Sequence, residues 1–513
     1  MDAGPSALAG CVWDRDGAVH NQEENVNPTF MRKAAAIAAT ATCALAATAM
    51  ASAPAGAAPI GSTSFIVAQG GTGTDKAVAA VKAAGGTVVQ EWPQIGIVIA
   101  SASDDTFDDK ARTSPGIVAA GPSRAMQAYE PASTIVPDGT VKGLGPGTSG
   151  GDDTKEPLNA NQWDMRQIGA DKAHLRTDGN RAITVGVLDS GIEADHPDLA
   201  ANVDASQSVD CTDRGVPNTS PAKWQPTTSD HGTHVAGTIA AARNGVGIVG
   251  VAPNVKLASV KVVEDAGYIY PEYAICGFIW AAEKGMEVTN NSYYIDPYAL
   301  WCKSNLDEKA AILAVERALK YSEKKNVVNV ASAGNSAWDL SKPITDTGSP
   351  NNIPEPQPRD TDQRCYDMPV ELGNTVAVSS VGPTAVKSYY SNWGRNVIDV
   401  TAPGGDSRVA ANTPDKNGRI LSTVVGGGWG YKQGTSMAGP HVAGVVALLR
   451  GTEMNLNAKQ TVKTLEREAD TLACPEFYDA NRDGVDDATC EGGAKGAGYY
   501  GAGLVDALDA VTP

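Results

Sequence analysis

The chain has 513 residues, 42% of them hydrophobic and 19% charged, with a formal net charge of −18. That length accommodates two or three domains around one large core. An acidic balance of this size argues against nucleic acid as a partner and leaves the fold undecided.

Met31-Arg32-Lys33 is followed by an uncharged run rich in Ala and Thr, Ala34 to Ala51, and then by Ala51-Ser52-Ala53 and Ala55-Gly56-Ala57. A basic start, an apolar centre and an Ala-x-Ala end read as a secretory signal peptide over 31–58. The competing reading is a membrane anchor, but the weakly apolar run and the cleavage pattern argue against it. Residues 1–30 do not suit a signal, so they are expected to be a non-native extension, with Met31 as the true start. Two of the eight cysteines, Cys11 and Cys43, fall in this leader. Export makes three disulfides the expectation for the other six, with 15 formal pairings. Proximity favours Cys474–Cys490 and Cys276–Cys302, leaving Cys211–Cys365 by elimination. No Cys-x-x-Cys spacing points to zinc.

Ser64 to Ala68 is β-like, and Asp75 to Ala84 carries Ala77, Val78 and Val81 at helical spacing. Thr87 to Gln90 and Gly96 to Ala100 are β-like again. Asp104 to Lys110 reads as a second helix and Gly116 to Ala119 as a last strand. The order β-α-β-β-α-β predicts a small α+β, ferredoxin-like sandwich over 59–128. Residues 129–157 are rich in Gly, Pro, Thr and Asp without periodicity and read as a linker. From 158 to 513 strand-like and helical runs alternate. Strands are expected at Ala182–Asp189, Val255–Val263, Met286–Asn290, Val327–Ala331, Thr375–Val381 and Val397–Val400. Helices are expected at His231–Ala242, Pro271–Lys284, Glu308–Lys324 and Pro440–Arg450. This predicts an α/β domain, a mostly parallel sheet covered by helices on both faces. Trp338 to Asp367 is long, polar and Pro-rich, and Asp406 to Asn417 reads as a second loop near Ser436.

Three stretches carry reactive side chains. Ala182 to Gly191 is an apolar run that ends in Asp189 and a glycine turn, as a buried parallel strand delivering a carboxylate at its C-terminal end would. His231-Gly232-Thr233-His234-Val235-Ala236 opens a helix with a histidine in its first turn. Gly434-Thr435-Ser436-Met437-Ala438-Gly439-Pro440-His441 leads into the apolar run Val442 to Leu449. Thr435 or Ser436 is expected to cap that helix, whose N-terminus favours negative charge. A serine hydroxyl needs a base, and the base needs an orienting group; Ser436, His231 and Asp189 supply those types. His234 invites a metal reading. No His-Glu-x-x-His or third ligand accompanies it, so it reads as a packed core residue.

The order Asp189, His231, Ser436 in these contexts resembles the subtilisin-like serine proteases over about Gln162 to Ala510. The resemblance implies a subtilisin-like fold and peptide-bond hydrolysis through an acyl-enzyme, with Ser436 as nucleophile, His231 as general base and Asp189 as orienting carboxylate. It implies that Asn335, after the strand-like Val327–Ala331, donates to the oxyanion beside the Ser436 N–H. Gly267, Tyr268, Ile269, Ser292, Tyr293 and Tyr294 are the implied strand edges for an extended peptide, with Ser332, Ala333 and Gly334 beside them. Tyr293 and Tyr294 replace a smaller segment common in the family and leave the pockets undefined. Gly439 stands where Ala or Ser is usual, a change expected to matter little. Before such a core, the 59–128 unit resembles an inhibitory, chaperone-like pro-domain.

No cofactor is expected for the chemistry. Calcium is expected as a structural ion at two places. Asp198 and Asn244 match family ligand positions, while Asp479, Asn481, Asp483 and Asp487 follow an EF-hand-like spacing that lacks the final Glu. The reading is a secreted, monomeric serine endopeptidase made as a self-processed zymogen, without a membrane segment after signal removal. The alternatives are a processing peptidase of narrow specificity and a non-catalytic binding protein on the same fold, which would need a broken triad or oxyanion hole.

Overall fold

The computed structural model describes residues 63–124, 140–141, 153–481 and 483–512. The expected leader and nearly all of the expected linker lie outside the described residues. The N-terminal unit follows the expected order: β1 (Thr63–Gln69), α1 (Asp75–Ala83), β2 (Thr87–Trp92), β3 (Ile97–Ala102), α2 (Phe107–Arg112) and β4 (Ile117–Pro122). The second helix starts later than expected because Asp104 accepts the Thr106 N–H and hydroxyl in a turn. The strands form an antiparallel sheet in the order β2-β3-β1-β4.

Side chains alternate across a strand, so Phe65 and Val67 face α1 and α2, where they pack with Val81 and Phe107. Ile66, Ala68, Ile97 and Ile99 face the other way, into the core of the larger domain. They meet two helices there, α4 (Pro271–Lys284) and α5 (Leu306–Lys324), after α3 (His231–Ala240) in the chain. Arg317 on α5 donates to the carbonyls of Gln69 and Ile95, both at 2.9 Å. Arg124, just past β4, pairs with Glu272 of α4 and stacks 3.7 Å over the Tyr270 ring.

The larger domain carries β5 (Thr184–Asp189), β6 (Val209–Asp210), β7 (Lys256–Lys261), β8 (Val288–Asn291), β9 (Val328–Ser332), β10 (Val376–Val381) and β11 (Val400–Pro403). They form one parallel sheet in the order β11-β10-β9-β8-β5-β7-β6. Val185, Val187, Val330 and Val378 face α3 and α6 (Thr435–Thr452). Leu188, Ala258 and Val260 face α4 and α5. Both faces are covered, as expected.

Three features depart from expectation. First, α6 begins at Thr435 and runs through Pro440, with Gly434 as its N-cap (φ 151°) and no side-chain cap. Neither Thr435 nor Ser436 caps it; both lie inside its first turn. Second, a hairpin of β12 (Ile420–Val424) and β13 (Gly428–Lys432) and the helix α7 (Ala458–Glu468) were not expected. Third, the disulfides are Cys211–Cys276, Cys302–Cys365 and Cys474–Cys490. Only the last matches the proximity reading. Cys211 follows the edge strand β6 and meets Cys276 on α4. Cys302 and Cys365 are paired residues of a two-residue antiparallel ladder.

Candidate active site

β5 ends at Asp189, which is 1% exposed and whose two carboxylate oxygens both lie 2.9 Å from His231 Nδ1. Asp189 Oδ1 also accepts the Ser190 N–H at 2.7 Å, and Ser190 Oγ accepts the Gly232 N–H at 3.0 Å. The turn after β5 thus ties the carboxylate to the first turn of α3, which bears the imidazole. Burial opposes charging His231, but the Asp189 carboxylate outweighs it and raises the pKa above the ordinary imidazole value. His234, one turn on, is buried; its Nε2 lies 3.2 and 3.1 Å from the Ile420 and Gly430 carbonyls, and burial pushes its pKa far down. It is the packed core residue expected.

Ser436 sits at the second position of α6. Its Oγ donates to the Ser292 carbonyl at 3.3 Å, and among the described residues no hydrogen bond joins it to His231 Nε2. Hydrogen bonds between a catalytic nucleophile and its base are commonly long or misaligned without substrate and tighten only when substrate is bound. Pro440 has no N–H for the Ser436 carbonyl four residues earlier. Ser292 Oγ fills that place at 2.9 Å, and Ser332 Oγ holds the Thr435 carbonyl at 2.8 Å. The start of α6 is therefore fixed from outside by two strand-end serines.

Asn335 follows β9 on an exposed turn. Its Oδ1 accepts the Thr435 N–H at 2.8 Å and the Thr435 hydroxyl at 3.0 Å. With the oxygen so occupied, the amide nitrogen is the end left for the cleft. Asn392, 1% exposed, holds this turn: its Oδ1 accepts the Ser336 and Trp338 N–H groups, and its Nδ2 donates to the Ala333 carbonyl. Sequence reasoning missed Asn392, because Tyr390-Ser391-Asn392-Trp393 has no period or motif that announces a side chain bonded 54 to 59 positions away.

A cleft of about 580 Å³ brings together Ser436, Asn335, Gly334, Ser332 and both expected strand edges, Gly267–Ile269 and Ser292–Tyr294. Ala333 is fully buried and does not line it. The two tyrosines part company. Tyr293 bonds inward to Asn291 Oδ1 at 3.0 Å, whereas exposed Tyr294 accepts from Asn351 Nδ2 at 2.9 Å. Asn351 belongs to the Trp338–Asp367 segment, which forms one wall. Its carbonyl accepts the Tyr268 hydroxyl, and its Nδ2 also reaches Asp296 Oδ1 at 2.6 Å. Asp296 in turn accepts the Ile269 N–H; burial raises its pKa to about 7.

The expected calcium positions are engaged otherwise. Asp198 is fully buried; its Oδ2 accepts the Ile248 N–H and Trp429 Nε1 at 3.0 and 2.7 Å. Asn244 donates to the Pro197 carbonyl and accepts the Val246 N–H. Asp198 Oδ1, by contrast, is buried without a hydrogen-bond partner among the described residues. Asp479 accepts the Asp483 and Gly484 N–H groups, Asn481 Oδ1 also accepts the Asp483 N–H, Asp483 accepts the Val485 N–H, and Asp487 accepts those of Ala480 and Asn481. Among the described residues, no three His, Cys, Asp or Glu side chains form a cluster able to hold a metal ion. The 479–487 carboxylates are engaged within their own loop, and no step of the chemistry below uses calcium.

A strand-end carboxylate bonded to an imidazole on one helix, with a serine in the first turn of another and an exposed amide bonded to that turn, supplies the side-chain types that a serine hydrolase uses. Residues 180–497 match the Subtilase family model. Fervidolysin of Fervidobacterium pennivorans is 30% identical over 421 residues, covering 80% of this chain and 54% of fervidolysin. Subtilisin E of Bacillus subtilis (strain 168) is 30% identical over 318 residues, covering 62% of this chain and 68% of subtilisin E. The chain thus spans about half the length of the one relative and two thirds of the other. Among solved structures, the epidermin leader peptide processing serine protease EpiP of Staphylococcus aureus aligns with a TM-score of 0.64 at 21% identity, covering 88% of this chain and 98% of EpiP. The crystal structure of fervidolysin aligns at 0.58 and 26% identity, covering 88% of this chain and 61% of that one. The chain belongs to the subtilase family, the subtilisin-like serine endopeptidases.

Proposed function

We propose that this chain hydrolyses peptide bonds through Ser436, His231 and Asp189, and is made as a zymogen held by its 59–128 unit. The observation that carries the reading is the contact of His231 Nδ1 with both Asp189 oxygens at 2.9 Å. It fixes the tautomer that leaves Nε2 free to accept a proton. In the reaction, Ser436 Oγ leaves the Ser292 carbonyl, gives its proton to His231 Nε2 and bonds to the substrate carbonyl carbon. The carbonyl oxygen takes the negative charge between Asn335 Nδ2 and the Ser436 N–H, at the start of α6 where negative charge is favoured. His231 returns the proton to the leaving amine, and water repeats the cycle on the acyl-enzyme. An extended peptide pairs along Gly267–Ile269 and Ser292–Tyr294.

Secretion is supported by the signal-like 31–58 segment and by three disulfides, and the enzyme is read as a monomer. The narrower reading, a peptidase for one kind of precursor, draws support from Asn351, which ties both rims of the cleft to the 338–367 segment; EpiP, named for processing a leader peptide, shares the fold. A fluorophosphonate probe decides the chemistry. It is expected to label Ser436 with loss of casein hydrolysis, and labelling elsewhere, or full activity after stoichiometric labelling, removes Ser436. Cleavage of a random peptide library then separates a broad enzyme, with many sites cut, from a narrow one.

A further inference from the structure

The cleft wall contains three buried carboxylates, Asp296, Asp346 and Asp367, and among the described residues no lysine, arginine or histidine lines it. Two of the three are engaged within the wall: Asp296 by Ile269 and Asn351, and Asp346 by the Gly348 N–H at 3.0 Å. Asp367 is different. It is 5% exposed, and no described residue donates a hydrogen bond to its carboxylate. That carboxylate lies against the turn after β9: a Cβ on Gly334 would stand 3.3 Å from Asp367 Oδ2. Gly334 is the residue before the oxyanion donor Asn335. An acid held there without a partner is costly to ionise. Burial first, and the neighbouring Glu371 second, push its pKa well up.

Substrate geometry gives this position a meaning, and the step rests on the catalytic reading above. With the scissile carbonyl oxygen at Asn335 Nδ2 and its carbon at Ser436, the side chain of that same residue, P1, must leave the chain alongside Ser332–Gly334. The group waiting at that wall is the Asp367 carboxylate. We propose that Asp367 is the specificity-determining residue of this enzyme and selects substrates with a cationic P1 side chain, arginine or lysine. A guanidinium or ammonium supplies the donors and the charge that Asp367 lacks, and the other two carboxylates add to the attraction. An apolar P1 side chain would leave the acid buried and unpaired, a penalty that discriminates more strongly than a missing hydrophobic contact.

The test uses peptide p-nitroanilides that differ only at P1: Arg, Lys, citrulline, Leu and Phe. In the wild type, kcat/KM for Arg is expected to exceed that for Leu, and that for its neutral isostere citrulline, by about a hundredfold or more. Asp367→Asn should collapse the Arg-to-Leu ratio toward one, while Asp367→Glu should keep most of it. A wild type that prefers Leu or Phe overturns the proposal, as does an Asp367→Asn enzyme with an undiminished ratio. Product peptides ending in Arg or Leu, titrated calorimetrically into wild-type protein, need no catalysis. If nothing is hydrolysed but the Arg peptide binds at least tenfold tighter, the triad assignment fails and this one stands. Equal binding overturns it.

Discussion

At the level of single residues, the site combines a charge device with a packing device. His231 titrates above the ordinary imidazole value because Asp189 outweighs burial. Only neutral His231 accepts a proton from Ser436, so kcat/KM should rise with pH along a limb displaced upward from that of a free imidazole. Asp189→Asn removes the main charge that opposes burial, leaving the smaller, opposed influences of Lys432 and Asp230, and the limb should move to lower pH as the rate falls; a limb that stays in place assigns it to another group. Asn335→Ala should cost about 10²–10³ in kcat with little change in KM, since its donor acts in the transition state. A wild-type kcat would remove it from the site. Gly439 matters more than its family position implies: a Cβ there would fall 2.8 Å from Ser332 Oγ and 3.0 Å from Asn290 Oδ1. Gly439→Ala should displace the serine hydroxyls that hold the Thr435 and Ser436 carbonyls. A stability loss of about 1 kcal/mol, the worth of one such bond, is expected by urea titration together with a lower kcat. An unchanged midpoint and kcat would show that Ser332 simply rotates aside.

Among the elements, the ones legible in the sequence are those whose signal is local. β5 and β7 to β10 are apolar runs, and α4 and α5 carry helical periodicity, so their positions are recovered within a few residues. α7 announced itself through Asn457 and Gln460, which form a capping box. The β12–β13 hairpin did so through Gly426 and Gly427 at its turn, both at positive φ. Both signals are weak on their own, because polar Asn457–Glu468 and the glycine-rich hairpin lack a strong apolar pattern. The long-range disulfide partners were not legible: Cys211–Cys276 and Cys302–Cys365 close separations of 65 and 63 residues, which only tertiary packing brings together. The triad types were legible because each follows a distinctive backbone signal, whereas Asn392 and Asp367 act through folding of the loops around them. The 479–487 loop illustrates the limit of a spacing argument, since its carboxylates already accept N–H groups from their own turns. Chelation is therefore expected to leave the thermal midpoint unchanged. Replacing Cys474 and Cys490 by serine should lower stability by about 3 kcal/mol on chain-entropy grounds. A chelator-induced fall that disappears in Asp483→Ala would instead identify a bound cation.

For the molecule as a whole, maturation joins the proposals. Between Met126 and Leu158 the only basic residues are Lys142 and Lys155. Lys155 is flanked by Asp153, bonded to His174 and Arg243, and by Glu156, which accepts the Gly245 and Val246 N–H groups. That stretch is fastened by buried ionic and backbone bonds, whereas Thr140–Val141 before Lys142 make only a two-residue pairing with Trp429 and Gly430, so the cut is expected after Lys142. N-terminal sequencing should find Gly143 first in the wild type and no cut in Ser436→Ala. The same cut in Ser436→Ala, expressed without other proteases, would assign maturation to a different enzyme. The docking of the N-terminal sheet on α4 and α5 then takes on a second meaning. While the chain is continuous, the tether holds that sheet at an effective concentration on the order of millimolar. Once the tether is cut, the same contacts must hold at whatever bulk concentration the protein has. Its apolar face and the Arg317 and Arg124 anchors would keep the halves together in a crowded compartment and release them on dilution, so that for a pro-domain that inhibits, volume itself would be the activating signal.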